Sequence, residues 1–90
     1  MKNEVGIVIC ACRKQCNLKQ DYMAHKLGIT VHTYANIEKG RVDLNMGRLF
    51  AIAQLFGIRT HQILALAEEV LEIGEHEWLA SITKRMIRIN

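Results

Sequence analysis

Residues 20–39 read QDYMAHKLGITVHTYANIEK, and this stretch determines the fold. Met23, Ala24 and Leu27 recur at the spacing of one helical face, which predicts a short helix over residues 20–27. Gly28 follows as the residue that ends the helix, because glycine accepts a positive φ without penalty. The small side chain of Ala24 allows a second helix to cross closely.

The second half of this stretch predicts another short helix. Thr30 is placed to cap a helix over residues 31–38, since a threonine hydroxyl satisfies the free backbone N–H groups of the first turn. Tyr34 and Ile37 form its inward face, and Gly40 ends it. Two short helices joined by a tight glycine turn are typical of a helix-turn-helix.

Apolar side chains also recur at helical spacing through the rest of the chain. They predict further helices over residues 3–16, 46–56, 61–73 and 75–88, with Asn45 and Thr60 as the caps of the fourth and fifth helices. The connections are short, and the sequence has no convincing strand, repeat or linker. We therefore expect a compact all-α fold.

The composition of the 90 residues narrows the class of protein. Half of the residues are hydrophobic, which excludes a disordered chain, and no apolar run is long enough to span a membrane. The start does not resemble a signal peptide, so we expect a cytoplasmic protein without a membrane partner.

The charges are distributed unevenly along the chain. Residues 1–48 carry eight basic and four acidic side chains, whereas residues 49–90 carry four basic and five acidic ones. A basic first half suits an anionic partner, although an ordinary solvated surface fits the charge equally well.

The residue types that carry metal or catalytic chemistry do not form a recognisable pattern. Cys10, Cys12 and Cys16 lie in one predicted helix, and a structural zinc site needs four ligands. We interpret them as small apolar residues. The four histidines are scattered, and no pairing of a nucleophile with a base is visible. We expect no metal, no cofactor and no enzymatic activity.

The joint spacing of several motifs resembles the Cro/phage-repressor-type (XRE-like) helix-turn-helix family. The motifs are Val5-Gly6-x-x-Ile9, Arg13, Leu18-x-Gln20-x-x-x-Ala24, Leu27-Gly28-Ile29-Thr30, Ile37-Glu38-x-Gly40 and Leu49-x-x-Ile52-Ala53-x-x-Phe56-Gly57-Ile58. The resemblance implies a five-helix repressor-like DNA-binding domain over residues 1–66, with its third helix in the DNA major groove. A C-terminal helical extension over residues 67–90, which includes the additional sixth helix, is expected to serve in dimerisation.

The resemblance and the docking of this motif on double-stranded DNA imply roles for individual side chains. Val31, His32 and Asn36 are the candidates for reading base edges, since asparagine can pair with adenine and valine can pack on a thymine methyl. The candidates for contacting the DNA backbone, where hydroxyls, amides and cations suit phosphate, are Gln20, Thr30, Thr33, Lys39 and Arg41.

The family pattern also pairs Arg13 of the first helix with Glu38 at the end of the third. Such an ion pair would fix the recognition helix against the rest of the domain, and the alternative is that Arg13 contacts phosphate. Tyr34 stands where the family usually has an aliphatic residue, which predicts a recognition helix displaced slightly outward.

The C-terminal segment carries an acidic group of five glutamates, which cannot favour DNA, followed by an apolar helical face. This face either packs on its own domain or forms an interface, and we expect a homodimer because paired half-sites require two copies. The candidate interface residues are Trp78, Leu79, Ile82 and Met86.

The function expected from the sequence is a sequence-specific transcriptional regulator, most simply a repressor or autoregulator. The alternative is an antitoxin-like module whose C-terminal segment binds a partner protein.

Overall fold

A computed structural model of the chain describes the backbone of residues 1–86 and the side chains of residues 1–82. The described residues form six α-helices and no strand, which confirms the predicted all-α class with an additional C-terminal helix. The helices are α1 (Lys2–Gln15), α2 (Gln20–Leu27), α3 (Val31–Glu38), α4 (Met46–Phe56), α5 (Thr60–Ile73) and α6 (Glu75–Met86).

Local side-chain chemistry sets where most of these helices begin. The Thr30 hydroxyl accepts a hydrogen bond from the backbone N–H of Thr33, and Asn45 Oδ1 accepts one from Arg48, as predicted for both caps. The prediction for α5 was wrong by one residue, because Thr60 is already the first helical residue. There the Gln62 side chain accepts from the backbone N–H of Arg59 at 2.8 Å and closes the first turn from inside the helix.

One apolar core joins all six helices. Val8, Ile9 and Cys12 of α1 are fully buried, as are Met23 of α2 and Tyr34 of α3. The later helices supply further buried side chains: Leu49, Ile52, Ala53, Phe56, Ile63, Ala67, Val70, Trp78 and Ile82. The predicted boundary at residue 66 falls inside α5, whose first and second halves both contribute to this core.

The apolar face of α6, for which the sequence left two possibilities open, packs on its own domain in this structure. Trp78 is 0 % exposed and Ile82 is 4 % exposed in a single chain, so both side chains are covered by their own domain in this arrangement. The reason is that α6 folds back on α1 and α5 and places its apolar face on their core. Of the other two interface candidates, Leu79 is 39 % exposed, and the side chain of Met86 lies outside the described residues.

Within residues 1–86, no single helix combines the length and the apolar composition that a membrane span requires. Helices α4 and α5 have the required length and apolar composition only when they are counted together. The chain bends by 97° between them. Leu49 and Ile52 of α4 and Ile63 of α5 are buried in the core of the domain.

Gly6 is the point at which α1 approaches the end of α3. A Cβ atom on Gly6 would lie 2.5 Å from the carbonyl oxygen of Glu38 and 2.7 Å from that of Ile37. Both atoms belong to the backbone and cannot rotate away, so the contact requires a residue without a side chain. The end of α3 is thereby held directly against the first turns of α1.

We expect Gly6→Ala to destabilise the fold by ~1–3 kcal/mol, because the overpacking of a backbone contact outweighs the better helix propensity of alanine. Gly47→Ala in α4 is the matched control, since its Cβ would meet only Asn45 Oδ1 at 3.4 Å. Urea unfolding followed by circular dichroism measures both variants. Equal stability of the Gly6→Ala and wild-type chains would contradict a close approach at this position.

Candidate nucleic-acid interface

The outer side of α3 is presented to solvent because its inner side is anchored in the core. Tyr34 and Ile37 are buried, and Thr30 caps the first turn. The turn before α3 depends on Gly28, which has φ +70°, and on a hydrogen bond from Ile29 N–H to the carbonyl of Ala24. Glycine adopts this φ without strain, so the predicted tight turn is present.

The three candidates for reading bases lie on this outer side. Val31 is 44 % exposed, His32 is exposed, and Asn36 is partly exposed. His32 and Asn36 stand one helical turn apart, and Asn36 Nδ2 lies 3.3 Å from His32 Nε2. When the amide donates, Nε2 accepts, while Asn36 Oδ1 and the second amide hydrogen stay available for a base edge.

The candidates for backbone contacts flank the same surface. Lys39 and Arg41 are exposed at the end of α3 and in the following loop. The Thr30 hydroxyl donates to Thr33 Oγ1 at 3.0 Å, which leaves the hydroxyl hydrogen of Thr33 to donate outward. Gln20 is the first residue of α2 and is half-buried, since its Nε2 donates to Glu38 Oε1 at 2.9 Å. One further amide hydrogen of Gln20 is therefore left for a phosphate.

A nearly buried ion pair links α1 to the end of α3, as the family pattern implies. Arg13 Nε lies 2.6 Å from Glu38 Oε2 and Nη2 lies 3.3 Å from Oε1, so the two planar groups meet through two hydrogen bonds. Arg13 Nη1 also donates to the carbonyl of Leu18 at 2.9 Å. The guanidinium therefore faces inward, which leaves it unavailable as a phosphate ligand in this arrangement.

The charges of this cluster shift the titration of its members. Burial alone would raise the pKa of Glu38, but the hydrogen bonds from Arg13 and Gln20 and the positive charge of Arg13 outweigh it and hold the pKa below its usual range. The hydrogen bond to Glu38 raises the pKa of Arg13. Burial raises the pKa of the Tyr34 phenol and of the Cys10 thiol, and the neighbouring Glu38 raises both pKa values further. These shifts favour the charged forms of Arg13 and Glu38 and the neutral forms of the Tyr34 phenol and the Cys10 thiol beside them.

Cys10 and Cys12 lie in α1, and Cys16 is the residue that follows its last turn. Cys12 is fully buried, and burial raises the pKa of its thiol to about 12. Cys10 and Cys16 are half-buried. Within the part of the chain that the structure describes, no group of three or more His, Cys, Asp or Glu side chains is arranged to hold a metal ion.

Two features of the surface were missed by the sequence reasoning. The amide of Gln20 was assigned to phosphate alone, whereas it also holds the carboxylate of Glu38. Phe50 is 55 % exposed on the outer side of α4. The sequence predicts that Leu49, Ile52, Ala53 and Phe56 face the core. Phe50 is not one of them, so its exposure could have been predicted from the helical spacing.

We expect Arg13→Ala to destabilise the fold by ~3–5 kcal/mol, because it leaves the Glu38 carboxylate buried without its main partner. Lys14→Ala is the matched control, since Lys14 is the exposed neighbour of Arg13. Thermal and urea unfolding measure the difference. Equal melting temperatures for the two variants would contradict a structural role for the ion pair.

The pH dependence of stability should also report on Glu38. Because its pKa is lower in the folded than in the unfolded chain, its contribution is complete above the ordinary value of 4.5 and is lost as the pH falls through the folded value. The stability gap between the wild type and Glu38→Gln should therefore be widest near neutral pH and narrow on acidification. A gap that stays constant with pH in urea unfolding would show that the carboxylate is not stabilised by folding.

Comparison with known proteins agrees with this geometry. A family model described as Helix-turn-helix matches residues 11–63, which contain α2, α3 and α4. The chain is also 36 % identical over 53 residues to an uncharacterized HTH-type transcriptional regulator of Methanocaldococcus jannaschii, a match that covers 59 % of this chain and 80 % of the relative. No solved structure matches the chain. With a capped, outward-facing α3 held to α1 by the Arg13–Glu38 pair, the chain belongs to the XRE-type helix-turn-helix family of DNA-binding regulators.

Proposed function

We propose that this protein is a sequence-specific transcriptional regulator that inserts α3 into the major groove of double-stranded DNA. The observation that carries the proposal is the outer side of α3, where Val31, His32 and Asn36 stand together on a helix whose inner side is fixed by the core and by Glu38. An anchored helix with short polar and apolar groups facing outward suits the edges of base pairs.

The role that we propose for each residue follows from the chemistry of its side chain. Asn36 and His32 supply hydrogen-bonding groups for a base edge, and Val31 supplies an apolar contact for a thymine methyl. Gln20, Thr33, Lys39 and Arg41 supply donors and positive charge for phosphates on either side. The acidic side chains Glu68, Glu72, Glu75 and Glu77 are exposed on α5 and α6, and we place that side away from the DNA.

Repression or autoregulation through a two-half-site operator is part of the proposal. A homodimer places two copies of α3 one turn of DNA apart, and such a complex bound over a promoter would exclude polymerase. This mode of action requires a cytoplasmic location, where the DNA is accessible.

The antitoxin-like alternative depended on an exposed apolar face in the C-terminal segment, and we do not favour it because Trp78 and Ile82 are buried.

Selection of bound sites from random duplexes would test the proposal and supply the operator. We then expect the double variant His32→Ala, Asn36→Ala to lose ~1–3 kcal/mol of binding free energy for each lost base contact at the selected site, while binding to non-specific DNA is retained. Lys39→Ala is the control, and it should weaken binding to all duplexes and reduce the salt dependence. Fluorescence anisotropy at several salt concentrations measures both effects.

Equal losses of the double variant on selected and random duplexes would reassign His32 and Asn36 to the DNA backbone. A wild-type chain that binds no duplex at low ionic strength would overturn the proposed function altogether.

A further inference from the structure

The neighbours of Asn36 on α3 determine which part of its amide is left for DNA. The side chains that stand one helical turn from it are His32, Thr33 and Lys39. Lys39 can only donate hydrogen bonds, and the hydroxyl oxygen of Thr33 already accepts one from Thr30. His32 supplies the acceptor that faces Asn36, since its Nε2 lies 3.3 Å from Asn36 Nδ2.

The direction of this hydrogen bond follows from the two atoms that meet. An amide nitrogen can only donate, so Nε2 of His32 must be the ring nitrogen without a hydrogen, and the hydrogen of the neutral ring lies on Nδ1. Asn36 then keeps its carbonyl oxygen and its second N–H free, which is one acceptor beside one donor. In the opposite direction, a ring N–H would donate to Asn36 Oδ1 and leave two N–H groups free instead.

These two patterns of free groups match different purines in the major groove. Adenine presents one acceptor, N7, and one donor, its N6 amino group, whereas guanine presents two acceptors, N7 and O6. An amide that offers one acceptor beside one donor therefore pairs with adenine through two hydrogen bonds. An amide that offers only N–H groups suits guanine. The direction of the hydrogen bond inside α3 thus decides between the two bases.

We propose that His32 is a positioning residue that directs the amide of Asn36 to adenine, so that the bound site contains an A·T pair where Asn36 reads it. His32 exerts this effect through its acceptor nitrogen, in addition to any contact of its own with DNA. A side chain at position 32 that only accepts hydrogen bonds should preserve the preference for adenine, and one that only donates should shift it toward guanine. The inference rests on the proposed function, because it requires α3 to lie in the major groove.

The first experiment measures the affinity for duplexes that differ at one base pair by fluorescence anisotropy. The pair that Asn36 reads is the position of the selected site at which Asn36→Ala removes the preference. There we expect the wild type to bind A·T about 5- to 150-fold more tightly than G·C, the range of one bidentate pair. His32→Lys should lower this ratio about tenfold or more, because its ammonium can only donate and draws Asn36 Oδ1 toward itself.

Three further variants separate the turned amide from other effects of the lysine. His25→Lys, the same change at an exposed histidine of α2, is the matched control for the added charge and should keep the wild-type ratio. His32→Glu, which can only accept, should weaken binding to all duplexes by repulsion from phosphate and keep the preference for A·T. The double variant His32→Lys, Asn36→Ala should prefer neither pair. A preference for G·C that persists in the double variant would assign the effect to a direct contact of lysine with guanine and overturn the proposal.

The second experiment determines the direction of the hydrogen bond without DNA. The nitrogen NMR shifts of a histidine ring distinguish the nitrogen that carries a hydrogen from the one that does not. At an alkaline pH, where the ring is neutral, we expect Nε2 of His32 in the free protein to be the nitrogen without a hydrogen. Asn36→Ala should change this signal, because it removes the donor, and circular dichroism checks that the variant is folded. A hydrogen on Nε2 in the wild type would overturn the proposal.

The inference and the proposed function can fail separately. A wild type that selects a site in which Asn36→Ala changes no preference, or in which Asn36 reads a base other than adenine, would overturn the inference and leave DNA binding standing. A His32→Lys variant that keeps the wild-type ratio would do the same. A wild type that binds no duplex would overturn the proposed function, and the inference with it.

Discussion

The ion pair between Arg13 and Glu38 is the interaction on which the arrangement of the domain depends. It joins α1 to the last residue of α3, and it draws in Gln20 from α2 and the carbonyl of Leu18 from the intervening loop. Removing two charges from water is unfavourable, and the hydrogen bonds around them offset that cost only while the geometry is maintained. The pair therefore contributes more to the orientation of α3 than to the total free energy of folding. Gly6 adds a steric constraint at the same point, because it lets the two helices touch through their backbones.

The first four helices could be predicted from the sequence because short-range chemistry determines them. Thr30 and Asn45 cap the helices that they were expected to cap, and Gly28 has the positive φ that the turn requires. Asn17 also has a positive φ of 58°, a conformation that asparagine tolerates better than most residues. The helix that was expected to begin after Thr60 begins one residue earlier, and there Gln62 Oε1 accepts a hydrogen bond from the backbone N–H of Arg59, the residue before the helix.

The surfaces were harder to predict than the helices. Periodicity identified the apolar face of α6 but could not show what covers it, because a core and an interface use the same side chains. Trp78 and Ile82 are covered by their own chain, whereas Phe50 is left exposed on a helix that was expected to contribute only to the core. The candidate DNA-binding residues could be placed on one side of α3 from sequence, but the bond between Gln20 and Glu38 depends on the crossing of two helices and has no signal in spacing alone.

The contact between His32 and Asn36 has a consequence for how such a protein can acquire a new operator. Each of these side chains limits the rotamers open to the other, so the pair presents a joint pattern of donors and acceptors instead of two independent ones. Replacing one of them removes this hydrogen bond from the other. With the base-reading roles proposed above, a change of operator preference would proceed most readily through coupled changes at positions 32 and 36.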